Sequence, residues 1–194
     1  MTVRITSTPI PGVLVIETAR YGDERGWFTE LWNASRYRAA GLDMQLVQHN
    51  ASWSERGVLR GMHFQSPNAQ GKLITALRGA IFDAVVDIRV GSATYGRWYG
   101  CELSADNGRQ IWVPEGFAHG FLVLSDGALI QYGCTAPYDA ASDRSLLWND
   151  ETVGIEWPQT PTVVSSKDDA APSLPELFAQ GVLPSVETPD IQRA

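Results

Sequence analysis

Short apolar runs, separated by glycine and polar turns, recur along most of the chain. Strand-like runs fall at 12–18, 45–51, 58–64, 73–77, 80–88, 99–103, 110–113, 120–124 and 128–134. A turn every ~10 residues between such runs predicts an all-β sandwich or barrel. Within 80–88, Phe82, Ala84, Val86 and Ile88 alternate with Ile81, Asp83, Val85 and Asp87. One face is therefore apolar, and the other carries carboxylates among apolar residues, as suits a barrel wall lining a polar cavity. A short helix is predicted over 33–40, capped by Asn33 or Ser35 and ended by Gly41. From Trp157 the prolines thicken, with Pro158, Pro161, Pro172, Pro175, Pro184 and Pro189. That stretch is expected to wrap the outside, with a helical turn near 174–180 and disorder in the last several residues.

Composition narrows the function classes. The 194 residues are 44% hydrophobic and 19% charged, ordinary values for one globular domain. The net charge of -7 comes with no basic stripe, so no nucleic-acid partner is expected. The longest early apolar run, Val13 to Ile16, cannot span a bilayer. No signal-peptide layout precedes it, so no membrane association and a cytoplasmic location are expected. Cys101 and Cys134 offer neither a disulfide framework nor zinc spacing. Arg occurs 13 times and Lys only at Lys72 and Lys167, which marks those two as candidates for sites that need a compact ammonium.

Histidine is scarce, and His49, His63 and His119 each sit among polar residues and glycine. The spacing Gly108-x5-Pro114-x-Gly116-x2-His119 resembles the second motif of the cupin superfamily, and Gly57-x5-His63 matches half of the first. Gln65 stands where that motif has its second histidine, and Gln70 where it has its glutamate. A metal cupin needs about three histidines and a carboxylate around the ion, so no metal and no cofactor are expected.

A closer resemblance is carried by an ordered set of motifs. These are Asp23-Glu-Arg-Gly-Trp-Phe-Thr-Glu30, Gln48-His-Asn-Ala-Ser-Trp-Ser54, Gly57-Val-Leu-Arg-Gly-Met-His-Phe-Gln65, Gln70-Gly-Lys72, Val86-Asp-Ile-Arg89, Pro114 to Phe121, Tyr132 to Tyr138, Trp148-Asn-Asp150 and Ser166-Lys-Asp168. Together they resemble the dTDP-4-dehydrorhamnose 3,5-epimerase family across roughly residues 5 to 178. The resemblance implies a cupin-type jelly roll with a few short helices, spanning 1–178 and followed by a tail over 179–194. It also implies a homodimer that exchanges N-terminal strands and partly shares its sites. The substrate implied is a dTDP-4-keto-6-deoxyhexose, inverted at C3 and C5 on the way to dTDP-L-rhamnose.

That chemistry needs a base, an acid on the opposite face and a group to stabilise the enolate oxygen. The resemblance assigns His63 as base, paired with Asp168, the alternatives being that Asp168 caps a turn or that Asp169 takes its place. Tyr132 is the implied acid, the alternative being a core aromatic. Lys72 is the implied enolate partner, steadied by Asp83, the alternative being a solvated lysine. Arg25, Glu30, Gln48, Asn50, Arg60, His119, Asp143 and Lys167 match positions that contact the sugar nucleotide, and Tyr138 matches the residue that stacks on thymine. Arg60 and His63 lie three apart, so a regular strand would face them oppositely unless Gly61 marks a bulge or Arg60 acts from the rim. Gly133, where lysine is common, and Asp143, where glutamate is usual, depart from the family pattern. An epimerase of one carbon only, a metal-dependent cupin and a non-catalytic sugar-nucleotide binder remain the competing readings.

Overall fold

The computed structural model describes residues 2–186. It contains two packed antiparallel sheets of jelly-roll type. The strands of the first sheet are β1 (Val3–Ser7), β2 (Leu14–Thr18), β5 (Gln48–Glu55), β7 (Lys72–Arg78), β10 (Arg109–Val113) and β12 (Gly127–Cys134), in the order β1-β2-β10-β7-β12-β5. The second sheet runs β13-β6-β11-β8-β9, from β13 (Asp143–Ser145), β6 (Val58–Gln65), β11 (Phe117–Val123), β8 (Ala80–Asp87) and β9 (Trp98–Ser104). A two-residue strand, β14 (Val163–Val164), adds to β6 in parallel. Strands β3 (Arg20–Asp23) and β4 (Gly26–Thr29) form a separate hairpin.

Three apolar clusters explain why many strands read as continuous apolar runs. Between the sheets lie Ile74, Ile81, Val85, Ile111, Phe121 and Ile130. On the back of the second sheet, Met62, Phe64, Ala84, Val86, Ile88 and Leu146 bury against the C-terminal segment through Leu174 and Leu177. On the back of the first sheet, Ile16, Leu73 and Trp112 pack against Tyr37 of helix α1 (Ala34–Ala39). Strands covered on both faces lose the simple in–out alternation, and each fully buried aliphatic side chain contributes about 1.5–3 kcal/mol.

Helix α1 starts at Asn33, whose side chain accepts from the Arg36 amide, and Gly41 follows its end at φ 97°. Two further short helices, α2 (Ser166–Asp169) and α3 (Leu174–Ala179), punctuate the wrapping segment. That segment stays on the body beyond residue 178: Val182 and Leu183 pack on the second cluster, and Ser185 bridges to Val90. The disorder expected of the last residues falls on 187–194, outside the described residues. Strands β1 and β2 lie at one edge of the chain's own first sheet, and the β3–β4 hairpin joins neither sheet. No helix among the described residues is long and apolar enough to cross a membrane.

Candidate active site

A cavity of about 170 Å³ opens between the two sheets. Strand β6 contributes Arg60 and His63, β11 contributes His119 and Phe121, β7 contributes Lys72, and β12 contributes Ile130 and Tyr132, with Ser52 from β5. Arg60 and His63 share it because β6 carries a bulge: His119 pairs with His63, but Phe121 pairs with Arg60, three residues against two. Gly61 and Gly120 make this close approach possible, since a Cβ on Gly61 would stand 2.6 Å from the Gly120 Cα.

His63 Nε2 lies 2.7 Å from Asp168 Oδ1, and the other carboxylate oxygen, Oδ2, accepts from the Gly61 amide at 3.2 Å. Burial alone would raise the Asp168 carboxyl, but the bonds from His63, Gly61 and Ser165 hold it below its ordinary value. An ionised Asp168 places the imidazole proton on Nε2 and leaves Nδ1 as the basic nitrogen. Asp168 also sits in the first turn of α2, where Ser165 caps its amide, so the turn and the pairing coexist. Asp169 instead accepts from Trp148 Nε1 at 3.4 Å.

The Tyr132 hydroxyl makes no hydrogen bond among the described residues, and burial pushes its phenol up, with Arg60 acting the other way. It therefore holds its proton at neutral pH. Burial lowers the Lys72 ammonium, while Cys134, Asp143 and Asp83 oppose that shift. Lys72 Nζ has no hydrogen bond or ion pair among the described residues, so Asp83 acts on it through charge alone and without direct contact. Asp83 Oδ2 instead takes His119 Nε2 at 2.8 Å. The physical reason is register: Asp83 and His119 lie on adjacent strands of one sheet, whereas Lys72 belongs to the other.

Beyond the cavity, an open depression shares Arg60 and His63 and adds Lys167 and Asp168. Asp143 accepts from Lys167 Nζ at 2.5 Å and from the Tyr138 hydroxyl at 3.3 Å. Gln48 Oε1 accepts from the Tyr138 amide at 2.9 Å, and Gln48 Nε2 donates to Asn50 at 3.0 Å. These five residues thus form one group beside the cavity. Arg60 Nε donates to Ser54 at 2.8 Å.

The structure does not bring Arg25 and Glu30 to this cavity. Arg25 sits exposed on the β3–β4 hairpin, bonded to Asp23, and Glu30 takes Arg36 at 2.9 Å beside α1. His49 faces outward, 2.8 Å from Gln131. Gln65 Nε2 donates to the carbonyls of Asn68 and Pro137, and Gln70 donates to that of Ala136. Both glutamines that replace metal-ligand positions are therefore committed to loop carbonyls. Among the described residues no group of three or more His, Cys, Asp or Glu is placed to hold an ion. Sequence reasoning passed over Ser52, Phe121 and Ile130. Carrying the β5 alternation from Asn50 on to Ser52 would have found the first.

Known proteins resemble this chain over nearly its whole length. The family model for dTDP-4-dehydrorhamnose 3,5-epimerase matches residues 7–176. A relative of that name from Sinorhizobium fredii is 50% identical over 174 residues, covering 88% of this chain and 89% of the relative. The structure of dTDP-6-deoxy-D-glucose-3,5-epimerase from Legionella pneumophila, solved with dTDP-4-keto-L-rhamnose, matches with a TM-score of 0.91 at 45% identity, covering 96% of this chain and 100% of that one. A 3'-monoepimerase from Streptomyces bikiniensis, solved with dTDP-quinovose, matches at 0.86 and 32%, covering 92% of this chain and 91% of that one.

Proposed function

The chain belongs to the dTDP-4-dehydrorhamnose 3,5-epimerase family and is an isomerase, and from that premise we propose that it inverts C3 and C5 of dTDP-4-keto-6-deoxy-D-glucose, giving dTDP-4-keto-L-rhamnose. The observation that carries this is the meeting of a carboxylate-backed imidazole, a protonated phenol and an unpaired lysine in one cavity. His63 Nδ1 takes the proton from the carbon beside the ketone, and Asp168 stabilises the imidazolium that forms. Lys72 faces the carbonyl oxygen as charge builds on it. Tyr132, on the sheet opposite His63, returns a proton to the other face of the same carbon. Solvent then takes the proton from His63 and returns one to Tyr132, and the two steps repeat at the second carbon flanking the ketone.

The cavity is smaller than the roughly 300–1,000 Å³ usual for a whole ligand. It suits the hexose alone, with the diphosphate along Arg60 and Lys167 and the base against Tyr138, which is 59% exposed. A homodimer is part of the proposal. Tyr21, Trp27 and Phe28 stand exposed on the hairpin that carries Arg25, and apolar exposure of that kind is what an interface covers. Two free cysteines suit a reducing, cytoplasmic setting.

Proton NMR of the substrate with enzyme in heavy water tests this. Deuterium should enter at C3 and C5 with inversion at both, and activity should persist in a chelator. Label at one carbon only would establish a monoepimerase instead, and no label would refute proton abstraction.

A further inference from the structure

Strand β5 turns Gln48, Asn50, Ser52 and Ser54 inward and His49, Ala51, Trp53 and Glu55 outward. Three of the four inward side chains are engaged. Gln48 holds Asn50 and the Tyr138 amide, Asn50 also reaches Cys134 Sγ at 3.7 Å, and Ser54 receives Arg60. Ser52 is the exception, its Oγ buried without a hydrogen-bond partner. Among the described residues two other buried side-chain atoms share that condition, Asp83 Oδ1 and Ser145 Oγ, and of these three residues only Ser52 lines the cavity.

A buried hydroxyl left unpaired is costly, and such groups persist where a ligand completes them. No side chain of the cavity does so in the fold: its cross-strand partner is Ile130, Phe121 is also apolar, and Arg60 is held by Ser54. The cations present, Arg60 and Lys72, only donate in their charged forms. A sugar hydroxyl whose oxygen accepts from such a cation still has an O–H to place, and Ser52 Oγ is a vacant acceptor on the wall that carries Tyr132.

We infer that Ser52 is a specificity-determining residue of this site, taking a hydrogen bond from a ring hydroxyl of the hexose and so fixing the ring against the Tyr132 wall. This rests on the epimerase reading above. Discrimination of this kind is strong, because a site built to bond a hydroxyl is left with an unpaired group when the hydroxyl is missing.

The test is Ser52→Ala, assayed with dTDP-4-keto-6-deoxyglucose and with its 2-deoxy and 3-deoxy analogues, as substrates or as competitive inhibitors. Deuterium uptake by the wild type runs alongside. Losing one hydrogen bond to a substrate hydroxyl should lower kcat/KM roughly 10- to 100-fold on the parent sugar. The loss should vanish for the one analogue that lacks the bonded hydroxyl. Since Ser52 Oγ holds nothing within the fold, the melting temperature should not fall by more than about 2 °C, and removing an unpaired buried hydroxyl should raise it. Parent kcat/KM within twofold of wild type, an equal loss on all three sugars, or a fall in melting temperature beyond that margin would each overturn the assignment. Wild-type enzyme that takes up no deuterium would instead refute the underlying epimerase reading.

Discussion

Replacing Asp168 with asparagine changes one atom and separates tautomer control from simple packing. In the native protein both carboxylate oxygens accept, one from His63 Nε2 at 2.7 Å and one from the Gly61 amide at 3.2 Å. An amide side chain must present its oxygen to one of these and its NH2 to the other. The Gly61 amide can only donate, so turning the NH2 toward it would leave a buried donor unpaired at a cost of about 1–3 kcal/mol. The imidazole can adapt by moving its proton. The favoured arrangement therefore keeps the amide oxygen on Gly61 and points the NH2 at His63 Nε2, which must become the acceptor. The proton then sits on Nδ1, the nitrogen assigned to take the substrate proton. The fold is unaffected, and the base is lost. The equivalent change behind the catalytic imidazole of serine proteases lowers turnover by about 10⁴, and a loss of roughly 10³–10⁴ is expected in Asp168→Asn. Deuterium uptake at C3 and C5 measures it by NMR, with dTDP affinity by calorimetry as control. Turnover within tenfold of wild type at unchanged affinity would refute tautomer control.

Tyr132→Phe removes a phenol whose proton burial retains, so inversion should fall about 10²–10⁴-fold while His63 still exchanges substrate protons with solvent. Inversion within threefold of wild type would dismiss Tyr132 as the acid. Lys72→Met should lower kcat by about 10²–10³, the scale of losing one oxyanion donor, with little change in dTDP binding. Asp87 is fully buried and takes Arg89, Ser92 and Thr94, and although burial raises its carboxyl these bonds hold it below its ordinary value. A carboxyl depressed on folding contributes stability that is present above its unfolded value and lost as pH falls through the folded one. Asp87→Ala should therefore cost about 3–5 kcal/mol at neutral pH, near the lower end because Arg89 is 24% exposed. Chemical denaturation should show the difference shrinking below about pH 4.

What could be read from the chain was the part written in local patterns. Glycine-punctuated apolar runs located β5 to β12 within a few residues, and Asn33 with Gly41 bracketed α1. The hairpin of β3 and β4 escaped notice because its residues are polar or exposed and bury no face. Strands β13 and β14 are two or three residues long, and they exist only because β6 offers an edge, Gln65 to Asp143 and Val58 to Val163. No local signal marks such pairings. Asp83 lay on the face that sequence reasoning gave it, but which group it would bond depended on the sheet in which each neighbour lies. Arg25 and Glu30 follow from family likeness alone, and a single chain leaves them away from the cavity.

The assembly of the base shows how little of a site need be local. His63 and Asp168 are 105 residues apart, and two small irregularities join them. The extra residue of the β6 bulge turns Arg60 and His63 to one side, and it also breaks the ladder where the Gly61 amide would have paired. That freed donor is the one Asp168 Oδ2 accepts. The returning chain is aligned by two parallel pairs, Val163 to Val58 and Val164 to Leu59, after which Ser165 caps α2 and fixes Asp168 in its first turn. Each contact alone is weak, a two-residue strand and one capping bond worth about 1 kcal/mol. Together they leave the carboxylate one position in which both oxygens are satisfied, and in that position the imidazole presents Nδ1 as its acceptor nitrogen.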